Sequence, residues 1–473
     1  MEYDVIVIGG GSGGLTAAAG AASFGAKTAL IEKEKALGGD CLHAGCVPSK
    51  AFIAAANKVY SAKKAAAAFG LTSGGKADMK KVMESVQRAI AVIQEHDDDE
   101  RFESLGIDVI HGEAVFVSSH EVSVGDNILK GKKIILATGS RPAIPDIDGI
   151  RDSGYLTNRN VFNLEVLPES LAVIGGGPIG VELAQAFSRL GTQVTLIERS
   201  SLPLSKEDDE IRETAARLLS KEFTILTEAA IESVSSFEDR KELVIRQNDV
   251  LKTLEVSHIL VAAGRKPNSD GLKLETIGVE CDEKGAVKVN RSMQTSVPHI
   301  FAIGDVNGNQ LFTHAAGLEG KGVVQKAVLG LPHTVKYDSM PWVTYTHPEI
   351  FHLGMTEDEA RKNHRDIGVY KALLNEVDRF IAEDETEGFV KIITDKHGAI
   401  LGAHAIGEGA GDWMQPVVYA SQLGKKIGDL SQMVYPYPNR AAAVQKTADL
   451  YWREKLFSGI VPKLTEKWIK VKR

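Results

Sequence analysis

The stretch "DVIVIGGGSGGLTAAAGAASFGAKTALIEK" (4–33) reads as apolar strand, glycine turn, small-residue helix and second strand. The same order returns about 165 residues later as "SLAVIGGGPIGVELAQAFSRLGTQVTLIER" (170–199). Gly9, Gly11 and Gly14, and again Gly175, Gly177 and Gly180, hold the G-x-G-x-x-G spacing, and Glu32 and Glu198 close the second strands. The first glycine permits the tight turn, the second lets the backbone approach a pyrophosphate, and the third lets helix pack on strand. The helix N-terminus then faces the phosphates and the acid accepts from a ribose hydroxyl. One such motif is weak evidence. Two in full context constrain the chain to an α/β fold with two Rossmann-like dinucleotide-binding domains. A carboxylate such as Glu198 bonds a free 2′-hydroxyl and repels a 2′-phosphate, which favours NAD(H) over NADP(H), although Arg199 is adjacent.

A length of 473 residues suits about three domains. The net charge of −8, without an extended basic face, gives no reason to expect nucleic acid as a partner. The basic end "KLTEKWIKVKR", with Trp468 and Ile469, reads as a solvated terminus. "DVIVI" reads as a buried strand rather than a secretory signal. The apolar stretches also break well before the ~20 residues of a membrane span, so a soluble, cytoplasmic protein is expected.

The three cysteines are Cys41, Cys46 and Cys281. The first two lie in "GGDCLHAGCVPSK" (38–50), with His43 between them and Lys50 four residues beyond the second. A stapled secreted domain carries more cysteines, and a zinc ribbon needs two ligand pairs. In a reducing cytosol a close pair points to redox chemistry. The following "VPSKAFIAAANKVYSAKKAAAA" predicts a helix with Pro48 in its first turn, whose positive end favours thiolate at the adjoining cysteine. No metal site is expected, since no remaining histidines stand at metal-ligand spacing. Cys281 reads as a buried small residue, and "HDDDE" (96–100) as a solvated helix end.

Three further segments are apolar strands running into small-residue turns: "ILATGSRP" with Thr138 and Gly139, "LVAAGRKPN" with Gly264, and "FAIGDVNG" with Gly304 and Asp305. Such turns suit a backbone passing close to a cofactor. With these in place the chain resembles, over its whole length and in the right order, the flavoprotein pyridine nucleotide–disulfide oxidoreductases. That family includes dihydrolipoamide dehydrogenase, glutathione reductase and mercuric reductase. The resemblance implies FAD on the first fingerprint and a nicotinamide cofactor on the second. The FAD-binding domain would comprise 1–150 and 270–340, the NAD(P)-binding domain 151–269, and a C-terminal α+β dimerisation domain 341–473. The implied assembly is a homodimer with its active site shared across subunits.

Carried over residue by residue, Cys46 would lie against the flavin as the charge-transfer thiolate and Cys41 would be the interchange thiol. Lys50 and Glu182 would pair beside the flavin, while Asp305 and the backbone near His314 would hold its ribityl chain and ring edge. "YTHPE" (345–349, with His347) looks like the lipoamide enzymes. His347 and His314 read as structural or cofactor-adjacent.

The sequence departs from the family pattern at "YPYPNRAAA" (435–443). Disulfide-reducing members carry a His-Pro there with a Glu five residues after the His. Here Tyr437 and Ala442 occupy those positions. A positioned base contributes about 10²–10⁴-fold, and a phenol with pKa near 10 is a poor base at neutral pH. Mercuric reductases also carry a tyrosine at this place, but deliver their ion through a C-terminal cysteine pair that this chain lacks. His43 stands where the family usually has Asn, and could supply a base or grip a soft metal. The leading expectation is therefore an NAD(P)H-dependent FAD disulfide oxidoreductase acting on a small-molecule or metal-ion acceptor. The alternatives are a flavin diaphorase, quinone reductase or transhydrogenase with an incidental disulfide, or a non-catalytic flavoprotein subunit of a complex.

Overall fold

Val5, Ile6, Val7 and Ile8 are all buried in the strand Glu2–Ile8. That explains why the run is continuously apolar instead of alternating, as expected for a strand covered on both faces. It pairs in parallel with Thr28–Glu32 on one side and Asn127–Leu136 on the other, with Ile6 opposite Ala29 and Ile134. Ile107–His111 extends the parallel set beyond Thr28–Glu32, and Ile300–Ala302 pairs with Asn127–Leu136. The order of strands reverses at Glu2–Ile8, so the crevice at its carboxyl end, where the first glycine turn begins, is the expected ligand position. A second parallel set places Ser170–Ile174 between Gln193–Ile197 and His258–Val261. The second glycine turn follows its central strand in the same way.

This computed structural model describes residues 1–72, 75–458 and 461–472. The chain divides into two units, Met1–Arg199 with Ala229–Lys336, and Ser200–Glu228 with Tyr337–Arg473. The first unit also contains an antiparallel three-stranded sheet formed by Ala229–Phe237, Arg240–Gln247 and Val250–Val256. Ser140–Pro142 and Arg265–Pro267 form a short antiparallel pair that joins two of the small-residue turns.

The second unit is built on a five-stranded antiparallel sheet. Its order is Pro341–Thr344, Glu349–Gly354, Ile400–Gly407, Phe389–Asp395 and Ile367–Leu373. Phe351, Phe380, Ile392, Met414 and Val444 fill its core. Lys391 is buried within this unit and is held by Asp208 at 2.6 Å and by Glu210 and Glu357 at 3.0 Å. A buried ammonium is tolerated only with partners of this kind. No helix among the described residues is long and apolar enough to cross a membrane.

Two local expectations change. The "HDDDE" run is a junction, because one helix ends at Gln94 and the next is Asp99–Ser104. Asp98 caps that second helix by accepting from the Arg101 N–H at 2.8 Å, and Asp97 is half-buried. Cys281 is half-buried, packed on the edge of the first unit's core.

Candidate active site

The helices Cys46–Phe69 and Pro178–Leu190 are tied along their length. Phe52 packs on Phe187 with ring centroids 4.8 Å apart, and both side chains are fully buried. One turn towards the thiols, Lys50 Nζ lies 2.8 Å from Glu182 Oε2. In the other direction Arg189 donates to Asn57 Oδ1 at 2.7 Å and covers the Tyr60 ring. Glu182 is almost fully buried while Lys50 is about a third exposed. Apolar packing thus fixes the helix pair, and the ion pair sits at a position it dictates.

Cys41 sits on the short helix Gly39–His43 and Cys46 is the first residue of the next helix. Gly38 and Gly39 both have positive φ, at 110° and 58°, and a Cβ on Gly39 would stand 2.7 Å from the Gly11 Cα. These glycines let the cysteine loop lie directly against the first fingerprint. Both sulfurs meet the same hydroxyl. Thr313 Oγ1 lies 3.2 Å from Cys46 Sγ and 3.3 Å from Cys41 Sγ. Thr313 opens the helix Thr313–Ala327, and its carbonyl lies 3.5 Å from the Ser12 hydroxyl at the start of the first fingerprint helix.

The pair shares one proton unequally. A hydrogen bond from Cys41 holds Cys46 well below the ordinary thiol range, at about 6, and Thr313 and the Lys50 charge pull the same way. Cys46 has solvent access, yet enough protein surrounds its sulfur that desolvation opposes this shift. The same hydrogen bond, followed by burial, pushes Cys41 far above its usual range. Cys46 is therefore the thiolate of the reduced pair and Cys41 the proton holder. In the reduced protein the Cys46 thiolate absorbance, followed by ultraviolet difference spectra against Cys46→Ser, is expected to titrate near pH 6. Thr313→Val should raise that midpoint by about one pH unit, since a hydrogen bond to a charged group is worth roughly 1.5 kcal/mol. A midpoint in the ordinary thiol range, or one indifferent to Thr313, would contradict the assignment.

The two fingerprints show which glycines serve the protein and which serve a ligand. Gly9 and Gly175 have φ of 111° and 106°, and a Cβ on either would overlap the backbone of Ala137 or Ala262. A Cβ on Gly14 or Gly180 would overlap the carbonyl oxygen of Gly9 or Gly175. The middle glycines differ. Among the described residues, a Cβ on Gly177 would meet no atom within 4 Å, and one on Gly11 would meet only the Gly39 Cα at 3.9 Å. No neighbouring side chain demands glycine there, so the open space fits a pyrophosphate approaching the backbone at a helix N-terminus. The residues present therefore fit FAD on the first turn and a pyridine nucleotide on the second.

Glu32 and Glu198 each hold a glycine turn in place. Glu32 accepts from Gly10 N–H at 2.7 Å and Glu34 N–H at 2.8 Å, and Glu198 accepts from Gly176 N–H at 2.6 Å. Each acid thus pins its own glycine turn.

The other flagged turns converge on one polar network. Ser140 donates to Asp305 at 2.5 Å, and Arg265 reaches both Asp305, at 3.5 Å, and Asp40, at 2.5 Å. Asp40 precedes Cys41, so the network ends beside the redox loop. Asn158 donates to Asp40 and to the Ala44 carbonyl. Burial raises the Asp305 pKa. Thr138 and Asn268 exchange hydrogen bonds at 2.7 and 2.9 Å, locking the Gly139 turn to the Gly264 turn. Glu319, fully buried, accepts from the Gly304 N–H at 2.6 Å. His314 stacks on Phe312, and His43, itself exposed, has a ring nitrogen 2.8 Å from the Leu37 carbonyl. Thr313, Asp40, Asn158 and Arg265 were not singled out from sequence. Asp40 and Arg265 lie inside flagged motifs, "GGDCLHAGCVPSK" and "LVAAGRKPN", while Thr313 and Asn158 lie in none.

In the second unit Tyr437 is exposed and donates its hydroxyl to Asp378 Oδ2 at 2.9 Å. Ala442 is the first residue of the helix Ala442–Phe457. Both line a surface cavity of about 180 Å³ together with Asp378, Asn439 and Lys446. His347 pairs with Glu408 and lies 3.8 Å from Glu385. The absence of a metal-ligand cluster, expected from sequence spacing, does not carry into the fold, which gathers Glu207, His352 and His404.

Comparison with known proteins gives this geometry its family. Residues 3–322 match the pyridine nucleotide-disulphide oxidoreductase family, and residues 340–448 match its dimerisation domain. Mercuric reductase of Staphylococcus aureus is 34% identical over 450 residues, covering 94% of this chain and 82% of that one. Dihydrolipoyl dehydrogenase 1 of Arabidopsis thaliana mitochondria is 34% identical over 458 residues, covering 94% and 90%. The Cu(II) complex of the HOCl-induced flavoprotein disulfide reductase RclA from Escherichia coli superposes with a TM-score of 0.86 at 27% identity, covering 95% of this chain and 99% of that one. The chain belongs to the class I pyridine nucleotide–disulfide oxidoreductases, FAD-dependent enzymes that use NAD(P)H.

Proposed function

We propose that this enzyme passes electrons from NADH to the Cys41–Cys46 pair and on to an acceptor that needs no proton relay at Cys41. Metal ions, quinones and thiol compounds of low pKa are such acceptors. The observation that carries this reading is the thiol pair on one hydroxyl. Thr313 lies within 3.3 Å of both sulfurs, and the proton is already partitioned between them.

Bound FAD supplies the two-electron exchange between nicotinamide and sulfur. This chain's residues set the rest. The helix N-terminus and Lys50 stabilise the Cys46 thiolate, while Cys41 holds the proton. Lys50 is oriented by Glu182 through the packed helix pair. Asp305, through Ser140 and Arg265, fixes the turn expected to meet the ribityl chain, with Thr138, Gly139, Gly264, Gly304 and His314 along the same path. Reduction of the disulfide takes up two electrons. With Cys46 as thiolate and Cys41 as thiol that step also takes up one proton, and delivery of the two electrons to the acceptor re-forms the S–S bond and releases it.

Tyr437 supports an acceptor of this class. Its hydrogen bond to Asp378 raises the phenol pKa further, so it is no general base near neutral pH. The names of the relatives agree in part, since one is a mercuric reductase and another was solved as a Cu(II) complex. Within this reading 1–150 and 270–340 hold FAD, 151–269 hold the nicotinamide, and 341–473 build a homodimer whose site is shared across subunits. Glu198 selects NADH over NADPH, His43 stands by the thiols, and the enzyme works in the cytoplasm.

The test is thiol trapping. Anaerobic NADH followed by alkylation under denaturing quench should add label to Cys41 and Cys46, read by mass spectrometry, with Cys281 unchanged as internal control. Equal labelling of Cys41 and Cys46 before and after NADH would remove the disulfide from the electron path.

A further inference from the structure

His352 and His404 stand directly opposite each other on the neighbouring strands Glu349–Gly354 and Ile400–Gly407. Glu207 reaches them from a segment some 145 residues earlier in the chain. All three side chains are buried, and one donor atom from each lies within 4.8 Å of the other two. We propose that Glu207, His352 and His404 bind one divalent transition-metal ion in the C-terminal unit, with the nitrogen and oxygen preference of zinc.

The hydrogen bonds around the cluster carry the argument. His352 Nε2 is 2.9 Å from the Gly354 carbonyl, and His404 Nε2 is 2.9 Å from the Met355 carbonyl. A carbonyl only accepts, so each Nε2 is the protonated nitrogen and each neutral ring presents a bare Nδ1. For His352 that lone pair faces Glu207 Oε2 at 3.0 Å. Two lone pairs at that distance repel unless a cation lies between them. Among the described residues His404 Nδ1 is buried with no hydrogen-bond partner. A proton on His352 would satisfy the first contact and leave the second orphan unexplained. A metal ion satisfies both.

The surroundings match a ligand set held from behind. Imidazoles that bind metal usually donate their other nitrogen to a carbonyl or carboxylate, which fixes tautomer and ring orientation. Trp342 Nε1 donates to Glu207 Oε1 at 2.6 Å, leaving Oε2 for the cluster, and the indole stacks on His352 with centroids 3.5 Å apart. Burial, with the neighbouring His352, holds His404 well below the usual imidazole range, at about 4, in keeping with a neutral ring. Asp208 adds a nearby negative charge. Two histidines and one carboxylate form a donor set zinc accepts. Tetrahedral ligands on one zinc ion stand about 3.4 Å apart, so donor atoms that lie up to 4.8 Å apart must draw in by up to about 1.4 Å. This ion would tie the segment 200–228 to the five-stranded sheet. Residues this deeply buried make it a structural clasp, separate from the thiol chemistry.

The test uses the full-length, flavin-loaded protein with Cys41→Ser and Cys46→Ser, so that the redox thiols do not compete for metal. After chelator treatment and dialysis, Zn²⁺ alone is titrated in. Uptake of one zinc per chain by elemental analysis is expected, with a rise in Tm. Glu207→Gln and His404→Gln should each weaken binding by at least about 100-fold. Trp342→Phe, which spares the ligands, should weaken it by about 10-fold. No zinc uptake and no Tm shift in the parent, or equal uptake in Glu207→Gln, would overturn the proposal and leave a protonated Glu207–His352 pair.

Discussion

Cys41→Ser is expected to lower NADH-driven reduction of metal-ion and thiol acceptors by at least about 10³-fold, a barrier increase of about 4 kcal/mol. Serine cannot form the S–S bond, and its hydroxyl is a far weaker nucleophile and leaving group than the thiol. The substitution should spare the rest of the site. The hydroxyl can still donate to Cys46, and the Thr313 contact and the Lys50–Glu182 pair do not depend on Cys41. Flavin content should therefore stay unchanged, and quinones able to take electrons at the flavin should keep their turnover. Steady-state assays on the two proteins decide the matter. If metal-ion reduction persisted in Cys41→Ser, the chain would be a flavin diaphorase and its disulfide incidental.

The second large effect is a gain. Tyr437→His combined with Ala442→Glu restores the two residue types that disulfide-reducing relatives carry at these positions. It should raise lipoamide turnover by about 10²-fold, the lower end of what a positioned general base contributes. The local structure can accept both changes. Tyr437 is exposed and loses one surface hydrogen bond to Asp378, a change worth about 0.5 kcal/mol or less. Ala442 opens a helix, where a glutamate is favoured by the positive end of the dipole. Each single substitution should do little, because the histidine needs the acid to orient it. Measured kcat/KM for lipoamide in the four proteins supplies the check.

The residues that could be read in advance are those whose backbone role is local. The glycine fingerprints, the strand at Glu2–Ile8 and the helix after Cys46 follow from spacing that any short window reveals. Thr313 could not be read that way. It lies 267 residues from Cys46 in an unremarkable "FTHAAG", and only the crossing of two helix N-termini brings it to the sulfurs. The Asp40–Arg265–Asp305 network is likewise assembled from three separate turns. His352 and His404 share no sequence spacing typical of a metal site, because their proximity is cross-strand register. Long-range register and helix crossing are tertiary facts, and local patterns carry no record of them.

The most direct measurement compares kcat/KM for lipoamide and for mercuric or cupric ion, with NADH as donor, in the wild-type enzyme and in Tyr437→Phe. The account predicts metal-ion turnover well above lipoamide turnover, with lipoamide rising only when His and Glu are restored together. Lipoamide turnover equal to that of a dihydrolipoyl dehydrogenase carrying the usual dyad, and unchanged in Tyr437→Phe, would contradict it.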